Sequence, residues 1–180
     1  KAESTTQKIE FVYDYMGRRV EKKVYNPTTT PEGATLWTLN KHEKFVYDEF
    51  KLIEKLNALA DNAVLQRFTW QPSKVGLDVP LSVFDVAANA AYYYFTDANK
   101  NIGQLIDNAG QIVAKYEYSP FGKITAQDGT YAAANPFRFS SEYYDDESGL
   151  VYYNYRYYSP ELGRWLSKDP VKKKGGLNYY

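Results

Sequence analysis

Residues 102–119 read IGQLIDNAGQIVAKYEYS, and the fold turns on them. Asp107-Asn108-Ala109-Gly110 is a turn tetrapeptide between two β-rich runs. Beyond it Ile112, Ala114, Tyr116 and Tyr118 alternate with Val113, Lys115 and Glu117. A period of two puts the charges on one face of a strand and the apolar bulk on the other. A second turn, Ser119–Gly122, leads into Lys123–Ala126, which Asp128-Gly129 closes. The repeating unit read from this stretch is a pair of strands with two turns.

Working outward, aromatic residues recur at Tyr25, Tyr47, Trp70, Tyr93, Tyr116, Phe137 and Tyr158, with gaps of 22, 23, 23, 23, 21 and 21 residues. Such self-similarity marks a repeat architecture. Turn chemistry agrees with the spacing. Tyr13-Asp14-Tyr15-Met16-Gly17-Arg18 has the form aromatic, Asp, two residues, Gly, base, and residues 118–123 repeat it with Ser119 for Asp and Pro120 at the next place. Tyr144 to Gly149 and Tyr158 to Gly163 are one residue longer. Asp or Ser opens a turn by bonding its own backbone, Pro presets φ, and Gly accepts φ > 0.

The segment DEFKLIEKLNALADNAVLQ, residues 48–66, reads two ways. It is rich in helix formers, and Phe50, Ile53, Asn57 and Ala60 share a helical face. As a strand, Leu52, Glu54 and Leu56 alternate with Lys51, Ile53 and Lys55, ahead of a turn at Asp61-Asn62. Its place between the Tyr47 and Trp70 markers decides for a hairpin.

Composition bounds the function classes. The 180 residues suit one domain of ordinary size. Nineteen Tyr, nine Phe and three Trp favour pleated, half-buried surfaces. A mean hydropathy of −0.59 reflects tyrosine's polar tip on an apolar body. Twenty-two basic residues balance twenty-two acidic ones, so no net field draws in nucleic acid. The absence of cysteine excludes disulfides, thiolate metal sites and cysteine nucleophiles, and the single His42 removes most Ser-His and His-metal arrangements. No apolar run reaches the roughly 18 residues of a membrane span. The chain reads as a fragment of something longer. Its expected cofactors and metals are none.

From Asn135 the sequence resembles the Rhs-associated core region that closes Rhs/YD-repeat proteins. The matching residues are Phe137-Arg138-Phe139, Tyr144-Asp145, Ser148-Gly149-Leu150, Tyr155-Arg156-Tyr157-Tyr158, Pro160, Leu162-Gly163-Arg164-Trp165, Asp169-Pro170 and Gly175-Gly176-Leu177-Asn178. A looser YD pattern covers the rest, weakest across residues 1–10, 26–44 and 71–91. The resemblance implies YD/Rhs repeats over 1–134 and a core region over 135–180, cut before its usual end. Relatives include Rhs toxins, wall-associated proteins, the C component of Tc toxins and the teneurins. The implied fold is all-β: tandem antiparallel hairpin repeats in a curved, spiralling sheet, part of a hollow shell. Stacking agrees with physics, because an isolated hairpin is marginal and repeats bury a continuous face only together.

The implied function is a structural shell segment of a secreted or surface protein that encapsulates or displays a C-terminal effector. Its partners would be neighbouring YD repeats of the same chain, further copies, an enclosed effector, or a surface glycan. One alternative is an adhesion module that binds glycans or a receptor through exposed tyrosine rows, with Tyr152, Tyr153, Tyr155, Tyr157 and Tyr158 as the binding face. Another is the aspartyl autoprotease found in toxin members, whose two carboxylates follow the Arg-Tyr-Tyr motif and sit in the later Asp-Pro. Such a pair works because one carboxyl holds a proton while the other activates water. Here the second position is Asp169, but the first is Ser159, after Arg156-Tyr157-Tyr158. Serine cannot share a proton with Asp169, so Asp169, Ser159 and Arg156 read as a degenerate site and no enzyme is expected.

Bland readings account for the remaining features. Arg156 would stack among Tyr155, Tyr157 and Tyr158, and Asp169 would be a turn residue ahead of Pro170. Asp145-Asp146-Glu147 reads as a solvated turn rather than a cation site. Asp97-Ala98-Asn99-Lys100-Asn101 lacks the Gly and distal Glu of a calcium loop. His42 reads as a surface residue, Lys172-Lys173-Lys174 as a solvated loop, and Gly175-Gly176 as a turn.

Overall fold

The computed structural model describes residues 7–72 and 78–169, with the backbone of residues 2–3. The chain forms two compact units, Lys1–Arg67 and Phe68–Tyr180. Among the described residues the regular structure is antiparallel strand apart from one 3-10 turn at Phe139–Ser141. The architecture is the expected all-β succession of tandem hairpins.

In the first unit β1 (Ala2–Glu3), β2 (Lys8–Tyr13), β3 (Arg19–Thr29), β4 (Thr35–Asp48), β5 (Lys51–Asn57) and β6 (Ala63–Trp70) pair in chain order, the last three residues of β6 belonging to the second unit. The Lys51–Gln66 ambiguity resolves as strands. Leu52 is 3% exposed, Phe45 lies opposite Lys55, and Lys55 lies opposite Gln66. Burial of one sheet face overrides a modest helical preference. The connecting turn places Asp61 and Asn62 in succession at φ 51° and 58°, a left-handed region these short polar residues tolerate.

One sheet face of this unit carries an ionic row among apolar neighbours. Lys22 faces Glu43 across the β3/β4 ladder with Nζ 3.0 Å from Oε2, and Lys55 Nζ lies 3.6 Å from the other carboxylate oxygen. Arg19 is wholly buried with its guanidinium 5.1 Å from the Phe11 ring and 5.0 Å from the Phe45 ring. Val24, Ile9 and Phe45 complete the buried side.

Five turns share one hydrogen-bond design: Asp14–Arg18, Thr30–Ala34, Asp97–Asn101, Asp107–Gln111 and Ser119–Lys123. In each, the first N–H donates to the fifth carbonyl and the fourth N–H donates to the first carbonyl. The first side-chain oxygen accepts the fifth N–H at 2.9 to 3.2 Å. The fourth residue has φ between 65° and 82°, and it is Gly in all but the turn that uses Lys100. This is a type I turn ended by a left-handed residue, a common three-residue hairpin connection.

In the second unit β7 (Pro80–Asp85), β8 (Ala90–Thr96), β9 (Ile102–Ile106), β10 (Ile112–Tyr118) and β11 (Ile124–Asp128) follow in order. Val83, Leu105 and Ala114 are fully buried, and Tyr94 and Tyr116 nearly so, on one face. A smaller sheet pairs β12 (Tyr143–Asp145), β13 (Leu150–Tyr153), β14 (Arg156–Ser159) and β15 (Arg164–Trp165). Between the sheets, residues 129–141 fold back over the buried face of β8–β10. Gly129 permits this at φ 104°, since a Cβ there would lie 2.3 Å from the Val113 carbonyl oxygen. Tyr131 then packs on Tyr92 at 4.1 Å, and Phe137 meets Phe68, Trp70, Tyr94 and Tyr143.

One detail of the strand reading is corrected. Ile112 does not share the buried face of Ala114 and Tyr116 but is 54% exposed, because the register shifts between Ile112 and Ala114. The repeat marker Tyr93 is 40% exposed, while its neighbour Tyr94 points inward at 8%. The Lys172–Lys174 run and Gly175-Gly176 lie outside the described residues.

Candidate functional site

The polar centre of the second unit is Asn135, fully buried on the strap that crosses β8–β10. Its Oδ1 accepts from the Tyr94 hydroxyl at 2.8 Å, and its Nδ2 donates to Tyr116 Oη at 3.2 Å and to the Phe137 carbonyl at 2.6 Å. Tyr116 in turn donates to the Ala132 carbonyl at 2.6 Å. Burial holds both phenols above their usual range. Next to it Arg138, 2% exposed, donates through Nε to the Asn135 carbonyl and grips Asp146 with both terminal nitrogens at 2.8 and 3.2 Å. The Tyr144 ring lies 4.6 Å from its guanidinium. These groups are mutually satisfied, so the cluster fastens the strap and has no reacting partner in the geometry.

Arg156 and Asp169 do meet: Nη2 lies 3.2 Å from Oδ2. The guanidinium stacks 4.0 Å from the Trp165 ring, which corrects the expected stacking among Tyr155, Tyr157 and Tyr158. Ser159 is buried at the end of β14, and its Oγ accepts the Leu162 N–H at 3.2 Å. Asp169 is therefore more than a turn residue. Its carboxylate anchors the strand pair β14/β15 through Arg156.

The tyrosine row is mostly internal. Tyr152 is 3% exposed and faces Tyr157 across the ladder, ring centroids 5.3 Å apart. Tyr153 and Tyr158 both pack edge-on against Trp165 at 4.8 and 5.4 Å. Tyr158 also stacks on Phe139 and donates to the Phe121 carbonyl at 2.9 Å. Of the five, Tyr155 alone is open, at 64%.

Other features move as well. Asp145 departs from the solvated-turn reading, being 1% exposed at the end of β12 with its carbonyl accepting both Ser148 and Gly149 N–H, whereas Asp146 and Glu147 do lie in the turn, where the exposed Asp146 also holds Arg138. Asp97–Asn101 is one of the five shared turns. His42 is not a free surface residue: its Nε2 lies 3.0 Å from Glu21 Oε2, and the side chain is largely covered. Burial pushes the Glu21 carboxyl up, but bonds from His42 and Lys23 outweigh it and leave it below its usual value. Glu142 goes the other way. Burial, helped by Asp78 and opposed by Lys100, pushes it up to about 7. Among the described residues no group of three or more His, Asp or Glu could hold a metal.

Sequence reasoning missed a groove of about 750 Å³ lined by the Asp97–Asn101 turn, the end of β10, Ser119-Pro120 and Phe139-Ser140. Tyr118 and Phe139 form its aromatic wall, centroids 5.9 Å apart. The Ser140 N–H donates to Asn101 Oδ1 and the Ser141 hydroxyl to the Lys100 carbonyl, which joins the turn to the strap. No periodicity announces this site, because its sides come from segments some 40 residues apart.

Comparison with known proteins places these elements. The chain is 28% identical to double-stranded DNA deaminase toxin A of Burkholderia cenocepacia over 94% of its length, but spans 12% of that protein. It is 28% identical to toxin subunit YenC1 of Yersinia entomophaga, covering 93% of this chain and 17% of that one. With toxin protein Tse5 of Pseudomonas aeruginosa it shares 39% identity over 49% of the chain and 6% of the relative. It thus spans less than a fifth of each. Among solved structures, TcdB2-TccC3 superposes with a TM-score of 0.64 at 24% identity over 100% of this chain and 9% of that chain. The Photorhabdus luminescens Tc holotoxin pore gives 0.63 at 25% identity, over 96% and 8%. The Teneurin YD-shell family pattern matches residues 79–174, more than half of the chain. On that match, carried by the β7–β11 hairpins, the strap and the four-stranded sheet, the chain belongs to the Teneurin YD-shell family.

Proposed function

We propose that the chain is a length of structural wall in a larger secreted or surface-displayed protein, whose hairpins enclose or display an effector carried elsewhere in the same polypeptide. The observation that carries this reading is the turn design repeated five times, with strands paired in chain order. Such a ribbon buries its polar backbone only by running on into further strands, and β11 and β15 stand at the ends of their sheets. Neighbouring repeats are the natural partners of those edges. Deaminase and toxin-subunit names belong to relatives of which this segment is a small part, which supports placing those activities outside it.

Within this reading residues 1–134 are repeat and residues 135–180 the core region. The Arg156–Asp169 pair serves the wall and does not cleave it. The second carboxylate a proton-sharing pair needs is replaced by the Ser159 hydroxyl, which is engaged with the Leu162 N–H. The test is to express the longest natural polypeptide containing these residues and follow it by intact-mass spectrometry and protease challenge. One uncut, protease-resistant body that digests only after denaturation is expected. A discrete self-cleavage abolished by Asp169→Asn would overturn the inactive assignment. Rapid digestion through the strands under native conditions would overturn the wall.

A further inference from the structure

On the ionic face of the first unit, an amine, a carboxamide and a carboxylate from three neighbouring strands meet. Lys55 on β5 lies directly opposite Gln66 on β6. Side chains so placed start about 5 Å apart at Cβ, within a lysine's reach. On its other side Lys55 Nζ is 3.6 Å from Glu43 Oε1. All three are withdrawn from water: Glu43 is 4% exposed, Gln66 2%, and the Lys55 side chain 12%. Phe45, itself buried, takes the β4 place opposite Lys55. Burial pushes the Lys55 ammonium below its usual range; Glu43 opposes this, and Lys22 and Lys41 add to it. A desolvated lysine of this kind is a nucleophile, because its amine form is populated where an exposed lysine stays charged.

An amine held between a carboxylate and a carboxamide can exchange the amide. Glu43 takes a proton from Lys55 Nζ, and the free amine adds to Cδ of Gln66. A second Nζ proton and the one on Glu43 then pass to the departing nitrogen. The Nζ–Cδ bond forms, the Cδ–Nε2 bond breaks, and the nitrogen leaves as ammonium, so atoms and charge balance with no oxidant or reductant. Lys22 Nζ, 3.0 Å from the other Glu43 oxygen, and Lys41 Nζ, 4.0 Å from Oε1, add positive charge that favours the adduct's oxyanion. Lys22 faces Glu43 and Lys41 faces Val24, so of the three lysines Lys55 is the one with a carboxamide directly opposite. We propose that Lys55 and Gln66 join in an isopeptide bond, formed by the chain itself with Glu43 as proton carrier, which ties β5 to β6 covalently. The inference needs only residues of the first unit and stands apart from the wall reading.

Intact-mass spectrometry of the purified chain tests this, followed by tandem mass spectrometry of its proteolytic fragments. The chain is expected to be one ammonia lighter than its sequence, with one fragment pair joined from Lys55 Nζ to Gln66 Cδ. Trypsin, which needs a free lysine, leaves the Lys55–Leu56 bond uncut. Lys55→Met and Gln66→Met each return the full sequence mass, and Glu43→Gln does so while keeping the strand signal in circular dichroism. The wild-type measurement decides by itself where a variant fails to fold. A wild-type chain at its full sequence mass overturns the proposal. So does a lost water in place of ammonia, which would join Lys55 or Lys22 to Glu43, or ammonia lost at any other pair. A bond that still forms in Glu43→Gln overturns the proton-carrier role.

Discussion

A methyl group added at Gly110 and at Gly129 asks different things of the backbone. Both glycines have positive φ, 78° and 104°, but nothing lies within 4 Å of a Cβ at Gly110, whereas at Gly129 it would meet the Val113 carbonyl at 2.3 Å. Gly110→Ala is expected to cost about 1 kcal/mol in urea unfolding, the left-handed term alone. Gly129→Ala is expected to cost about 3 kcal/mol or more, because a carbonyl on β10 cannot give way without breaking the strap's bond to it. Equal losses would mean that the strap does not close over β10 as described. Glu142 supplies a pH signature at the same scale. Its carboxyl is raised to about 7, so the charged form costs stability that is absent below the unfolded value of 4.5 and fully felt above pH 7. Stability should therefore fall as pH rises from 5 to 8, by an amount on the order of 2 kcal/mol, and Glu142→Gln should flatten the profile and stabilise the protein at pH 8. An unchanged profile in that variant would assign the dependence elsewhere.

At the scale of elements, the ionic row on β3, β4 and β5 shows what alternation alone does not specify. Burial pushes the Glu43 carboxyl up, but Lys55, Lys22 and Lys41 outweigh it and hold it below its usual value. The stability it contributes is present above the unfolded pKa and is lost as pH falls through the folded one. Glu43→Ala should cost about 3–5 kcal/mol, since Lys22 and Lys55 would be left as buried charges without their acceptor. A loss below about 1 kcal/mol, the size of a surface pair, would mean the row is open to solvent. Hairpin existence was legible in sequence because turn chemistry is local: Asp14, Asp107 and Ser119 with their glycines announce themselves. Thr30 and Asp97 escaped notice as members of the same set, the latter because Lys100 takes the position glycine holds elsewhere. The face assignment failed at Ile112, where a register shift set by the neighbouring strand β9 turns the residue outward. Asn135 was unreadable as a hub. Its partners Tyr94 and Tyr116 lie 41 and 19 residues away and meet it only after Gly129 turns the strap back.

For the whole molecule, tyrosine supplements a mixed aliphatic and aromatic core with bonds between segments. Tyr116 buries its ring, Tyr47, Tyr118 and Tyr158 half-bury theirs, and each spends the hydroxyl on a backbone carbonyl of another segment. Each such bond contributes on the order of 1 kcal/mol beyond the packing. Tyr118→Phe should accordingly lower the stability of the second unit by about 1 kcal/mol in calorimetric unfolding, while its ring contact with Phe139 persists. A loss of several kcal/mol would mean the ring itself had shifted. The central claim is that this chain is wall and not cargo. Single-particle cryo-electron microscopy of the longest natural polypeptide containing residues 1–180 tests it most directly. The account predicts these hairpins as consecutive strands in a one-sheet-thick wall around a lumen. Finding the same strands packed into a solid globule with no enclosed space would contradict it.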